Sequence, residues 1–219
     1  LNDESVNQHF GMVWTSQLEL VDKVTLTVSV SGLLNATLLV ESGTPLNELA
    51  ELREFCQGKY GLVSGNKERI EYEPAHLVSR NMSIIIVQKH HVSVGRPCNI
   101  EVYVLPNTTI KQLMQDHQLH LDGFIIVDSH TNGVLNESSM METDTVLKLC
   151  HNVTVLNASE SRGFLVEHQQ PLQTNTDLVE WANGYHLAQS NQNITELFLS
   201  QTVEHDLDLV LCSLVTTTG

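Results

Sequence analysis

The chain has 219 residues, with 26 acidic against 11 basic side chains and a formal charge of −15, a balance that repels phosphate and excludes nucleic acid or an anionic membrane as partner. At 41% hydrophobic and 17% charged residues the chain can bury cores and is not disordered. Its longest apolar runs, such as Ile84 to Val87 and Phe124 to Val127, fall far short of the roughly 20 residues of a membrane span, so direct insertion is not expected.

Taken in chain order, the sequence matches itself. Leu18 to Val28 aligns without gaps with Ile84 to Val94, and the latter aligns with Leu147 to Val155; each reads as two strands separated by a polar break. A shorter match sets Cys212 to Thr217 against Cys150 to Val155, giving a period of roughly 60 to 66 residues. The junctions predict three units, 22–88, 89–150 and 151–212. An N-terminal arm, 1–21, resembles the closing strand of a preceding unit, and a C-terminal arm, 213–219, the opening strand of a following one.

Each unit reads strand, strand, helix, strands. In the first, Thr44 is the expected N-cap, Pro45 the first helical residue, and Leu46, Leu49, Leu52 and Phe55 the buried face. In the second, Val92 to Val94 and Ile100 to Leu105 open the unit, with Ile100, Val102 and Val104 inward and Glu101 and Tyr103 outward. Thr108 is the expected cap of a helix carrying Ile110, Leu113, Met114 and His117 on one face; Gly123 to Val127 and Thr145 to Leu149 return to strand. In the third, Val153 to Leu156 opens, and Thr176 is expected to cap Asp177 to Tyr185, with Leu178, Val179 and Trp181 buried. Leu207, Val210 and Leu211 lie in a closing strand whose neighbours Asp206 and Asp208 face solvent at an edge.

A hairpin, a helix across it and a final strand entering the middle of the sheet, in about 60 residues, resembles the β-grasp fold familiar from ubiquitin. The resemblance is one of element order and implies an α+β chain of three tandem small β-grasp-like domains. No diglycine tail is present, and no conjugation chemistry is carried over. All-β immunoglobulin-like sandwiches are the alternative, although 60 residues is short for about seven strands.

Seven Asn-X-Ser/Thr sequons, at Asn35, Asn81, Asn107, Asn136, Asn152, Asn157 and Asn193, exceed the roughly two or three that chance supplies. They point to N-linked glycans and hence to a secreted or cell-surface, extracellular protein. The chain opens on Leu1 with no charged-then-apolar leader, as expected of a processed or cut chain. Cys56, Cys98, Cys150 and Cys212 suit an oxidising compartment, with Cys98 and Cys150 the candidate disulfide; buried free thiols are the competing reading.

No catalytic motif is present: GxSxG, HExxH, GxxxxGK and GxGxxG are all missing, and no cofactor site or metal cluster is expected. The groupings His90 with His91, Asp116 with His117 and His120, and Glu204 with His205 and Asp206 have permissive but undiagnostic spacing. Asp128 to Gly133 only loosely follows a calcium loop. Acidic pairs such as Glu71 and Glu73, Glu137 and Glu142, or Asp206 and Asp208 lack a supporting motif, and Trp14 and Trp181 read as core or interface anchors. The sequence therefore points to a structural or adhesive protein, not an enzyme. Its partners would be further copies of itself, joined head to tail through Leu18, Leu20 and Val21 at one end and Leu214 and Val215 at the other. The alternative is a receptor or ligand-binding ectodomain for protein or carbohydrate.

Overall fold

The computed structural model of the protein describes residues 21–30, 34–66, 69–183, 185–189, 196–197 and 199–213. The chain is mostly β, spread over several sheets, and divides into two compact units, Leu1–Val87 and Gln88–Gly219.

In the first unit, strands β1 (Lys23–Val30) and β2 (Leu34–Glu41) form an antiparallel hairpin. After them come β3 (Thr44–Pro45), β4 (Tyr60–Ser64), β5 (Glu71–Tyr72), β6 (Leu77–Val78) and β7 (Met82–Gln88). The main sheet has the order β2-β1-β7-β4-β5, so the last strand lies in the middle, parallel to β1 with Leu26 opposite Met82. Period-two alternation turns Leu26 and Val28 of β1 and Ile84 and Ile86 of β7 inward, onto Leu46, Leu52, Leu62 and Val78.

The helix expected over Leu46 to Phe55 is corrected. Thr44 and Pro45 are not cap and first turn but a short strand paired with Val78 and Leu77. The segment beyond them holds two 3-10 turns, Leu46–Glu48 and Arg53–Cys56. The reason lies in the spacing itself. Leu46, Leu49, Leu52 and Phe55 recur every three residues, the period of a 3-10 helix, and the N–H of each later one donates to the carbonyl of the one before, at 3.3, 3.0 and 2.9 Å. Leu46 and Leu52 are fully buried, while Leu49 and Phe55 are half-buried.

The second unit contains β8 (His90–Val94), β9 (Ile100–Val104), β10 (Thr108–Thr109), a helix (Ile110–Asp116), β11 (Ile125–Asp128), β12 (Val134–Leu135), β13 (Met140–Met141) and β14 (Thr145–Leu156). It continues through β15 (Ser161–Glu167), a 3-10 turn (Leu172–Thr174), a helix (Thr176–Trp181), β16 (Tyr185–Gln189), β17 (Glu196–Leu197) and β18 (Leu207–Ser213). Both helices are capped one residue away from the expected position, the first one residue later and the second one residue earlier. Thr109, not Thr108, accepts the Gln112 N–H while the Gln112 side chain accepts the Thr109 N–H, a reciprocal capping box. Asn175, not Thr176, accepts the Leu178 N–H, and Tyr185 belongs to a strand. His117 ends the first helix and is exposed.

The twelve residues of β14 organise this unit. Its first half pairs parallel with β8 and antiparallel with β11; its second half pairs antiparallel with β15 and parallel with β18. Cys150 is paired with both Ile125 and Glu167, so the strand passes the expected boundary at residue 150 without a break. Leu147 and Leu149 are buried with Ile110 and Leu113, and Val153 and Val155 with Leu172 and Leu178. Each such side chain contributes about 1.5–3 kcal/mol. β18 lies between β14 and β16, so Asp206 and Asp208 are exposed as expected but stand at no edge.

The same bonds recur three times. The opening strand meets the closing strand in parallel at Leu26 with Met82, Val92 with Thr145, and Val153 with Leu207. One residue earlier, the N–H of Thr25, His91 and Asn152 donates to the Oδ1 of Asn81, Asp144 and Asp206, each at 2.8 Å. After the hairpin, Gly43, Asn107 and Gln169 all have positive φ, of 92°, 67° and 59°. Their N–H groups donate to the carbonyls of Val78, Met141 and Val203 at 2.9, 3.1 and 2.7 Å. That backbone is free of penalty only for glycine, and is held at Asn107 and Gln169 by the surrounding bonds.

Candidate functional site

Among the described residues, the functional candidates are the sequon side chains and the joint within β14. Asn35, Asn81, Asn107 and Asn136 are exposed; Asn152 and Asn157 are half-buried; Asn193 lies outside the described residues. Asn136 and Asn157 sit in Asx turns made by their own sequons. The Asn136 Oδ1 accepts the N–H and hydroxyl of Ser138 at 2.9 and 2.6 Å, and the Asn157 Oδ1 accepts those of Ser159 at 2.8 and 3.0 Å. In both, the amide oxygen makes the turn, which points the amide nitrogen, the atom a glycan takes, away from it. Asn35 Oδ1 accepts the Ser29 hydroxyl at 2.6 Å across the first hairpin. Asn152 lies inside β14, and its Nδ2 donates to Thr154 Oγ1 at 3.1 Å.

The joint centres on His151, 5% exposed and set between the two cores that β14 serves. Its Nε2 is 2.9 Å from Nδ1 of His168, and the Phe124 ring lies 5.0 and 5.2 Å from the two imidazoles. Its Nδ1 has no hydrogen-bond partner and lies 3.6 Å from Oδ1 of Asp206, the carboxylate that holds the Asn152 N–H. Burial, then the neighbouring His168, depress the His151 pKa, and Asp206 opposes them. Sequence reasoning did not single out His151, His168 or Phe124 as a group. They are far apart in the chain, and only strand pairing brings them together.

The remaining candidates are placed as follows. His91 contacts Glu101 at 3.8 Å and the Tyr103 ring at 5.2 Å. Asp116, His117 and His120 are exposed, as are Glu204, His205 and Asp206, and no group of three metal-ligating side chains forms among the described residues. Both oxygens of Asp128 serve its own turn, accepting from the His130 N–H and the Thr131 hydroxyl, each at 2.9 Å. The bond from His130 comes first in holding this carboxyl below its ordinary pKa. Glu71, Glu73, Glu137, Glu142 and Asp208 are exposed. Trp181 is half-buried against Phe164 and donates to Glu160 at 3.2 Å; Trp14 lies outside the described residues.

The candidate disulfide between Cys98 and Cys150 is not formed in this structure, where Cys56, Cys98, Cys150 and Cys212 are all free. Cys150 is buried, and desolvation first, then Glu167, push its thiol up to about 11. Of the arm residues, Val21 is described and is 42% exposed; Leu18, Leu20, Leu214 and Val215 lie outside the described residues. No helix among the described residues is long and apolar enough to cross a membrane.

Two grooves accompany these features. One, of about 730 Å³, runs along β15 and is lined by Lys148, Arg162, Glu167, Asn175 and Asp177. The other, of about 470 Å³, lies in the first unit beside Asn81. No protein-family model matches the chain, nor does the sequence of any curated protein.

Proposed function

We propose that the chain is an extracellular, N-glycosylated structural or adhesive protein, built from three tandem β-grasp-like repeats and assembling head to tail with further copies. The observation that carries this reading is β14, one strand that closes one five-strand set, β9-β8-β14-β11-β12, and opens the next, β15-β14-β18-β16-β17. Both sets have the order seen in the first unit, the hairpin at one side and the last strand in the middle. A strand shared in this way joins neighbouring repeats through backbone hydrogen bonds, and the same device can join copies. The exposed sequons support the compartment, because a glycan must project into solvent.

Electron microscopy of the protein from its native source, with intact mass before and after enzymatic removal of N-glycans, tests the proposal. Filaments with a large mass loss are the expected outcome; an unglycosylated monomer would refute it. The receptor reading is favoured by the polar groove along β15, whose mixed charges suit a carbohydrate or peptide. It predicts dispersed particles that bind a glycan or peptide library, with binding abolished by Arg162→Glu.

A further inference from the structure

We propose that Asn81 has two functions at once: its amide oxygen locks the first sheet, and its amide nitrogen carries a glycan that lies in the adjoining groove. The inference rests on the glycoprotein reading above and goes beyond it by assigning the sugar a seat on the protein.

The lock is the part that recurs. Asn81 Oδ1 accepts the Thr25 N–H at 2.8 Å, as Asp144 does for His91 and Asp206 for Asn152. Two of the three positions thus use aspartate, so a carboxylate oxygen serves this bond as well as an amide oxygen. The first unit alone uses asparagine, and there it opens the sequon Asn81-Met82-Ser83. An amide adds nothing to the lock that a carboxylate lacks except its nitrogen, the glycan acceptor. With the oxygen committed to β1, the planar amide turns its nitrogen away from that strand.

The groove beside it is about 470 Å³, within the roughly 300–1,000 Å³ of small-molecule sites. Its lining includes Tyr72, His76 and Arg80. Tyr72 and His76 are stacked on each other, 4.5 Å apart at 33°, which leaves an outer ring face for the apolar face of a sugar ring, and exposed Arg80 offers donors to its hydroxyls. The chain also gives way where the sequon serine stands. A Cβ on Gly65 would come within 2.5 Å of Ser83 Oγ, and the Gly65 N–H donates to the Ser83 carbonyl at 2.8 Å. Glycine at this point lets β4 approach β7 without displacing Ser83.

The test is made on the full chain secreted from a glycosylating host. Glycopeptide mass spectrometry should find Asn81 occupied. Asn81→Asp then removes this one glycan while keeping the lock, as Asp144 and Asp206 do. Hydrogen exchange over 71–83 should quicken about fivefold on losing the sugar, with exchange in β1 unchanged. Tyr72→Ala should reproduce the effect in the glycosylated chain and add nothing when combined with Asn81→Asp. Ser83→Ala removes the glycan independently should the first variant fold poorly. An occupied Asn81 whose loss leaves exchange over 71–83 unchanged would overturn the seat while leaving the glycoprotein reading intact. An empty Asn81 with other sequons occupied overturns the inference alone, and a chain without any glycan overturns both.

Discussion

Two segments that each follow a strand hairpin part company in the structure. Leu46 to Cys56 makes two 3-10 turns with no side-chain cap, whereas Ile110 to Asp116 makes an α-helix under a full capping box. The first repeats its apolar residues every three positions; the second places them at 110, 113 and 114, a mixed three-and-four pattern. Both deliver a fully buried residue at their first position, Leu46 or Ile110, whose N–H donates to the carbonyl of His76 or Ser139 at 3.0 Å. The core therefore requires an apolar plug crossing the sheet at that point, and local spacing and capping decide which helix supplies it.

The largest effects should show where the two segments are alike. Leu52→Ala and Leu113→Ala each remove a side chain with no exposed surface. Each should cost about 2–5 kcal/mol by chemical denaturation, irrespective of helix type. A much smaller loss for Leu52→Ala would mean that the 3-10 segment is not a true part of its core.

Acidification should separate the units next. His151 is buried in the second, facing His168, Asp206 and His205, whereas the first buries no histidine among the described residues. The unfolded imidazole takes up a proton near about pH 6.5, and the folded one does so only lower. Stability linked to His151 is thus complete above about pH 6.5 and is lost as pH falls from there through the folded value. Hydrogen exchange should quicken in the second unit as pH falls below about 6.5, after correction for intrinsic rates, and His151→Gln should flatten that dependence. Equal responses in the two units would remove His151 as the cause.

Smaller effects sharpen the contrast in capping. Thr109→Ala deletes the capping box and should cost about 1 kcal/mol with a loss of α-helical circular dichroism. Pro45→Ala, where no side-chain cap exists, should change stability by no more than about 0.5 kcal/mol. Smallest of all, Gln169→Gly relieves a positive φ and should be neutral to stabilising, while Gly43→Gln, which creates that strain, should cost about 1 kcal/mol.

Much of the β architecture was legible. The inward set Ile100, Val102 and Val104 and the outward Glu101 and Tyr103 follow from alternation, and Val104 is buried while Glu101 and Tyr103 are exposed. The self-matches located the paired strands because identical surroundings demand similar side chains. Less was legible at the caps. Thr108 and Thr109 are chemically alike and both pair with β13; the difference is that the Thr108 hydroxyl donates back to the Leu105 carbonyl whereas the Thr109 hydroxyl accepts the Gln112 N–H. The candidate site was legible only in its sequons, which are local patterns.

The sequence by itself determined the alternation within strands such as Ile100 to Val104 and the sequon positions, because each depends on neighbours within a few residues. The tertiary structure alone decided that the two halves of β14 form one strand, and that Asn81, Asp144 and Asp206 hold equivalent bonds. It also decided that His151 meets His168 and Phe124. Those contacts join residues from about 17 to more than 50 positions apart, and a chain this long fixes such distances only when strand pairing, parallel or antiparallel, selects the register.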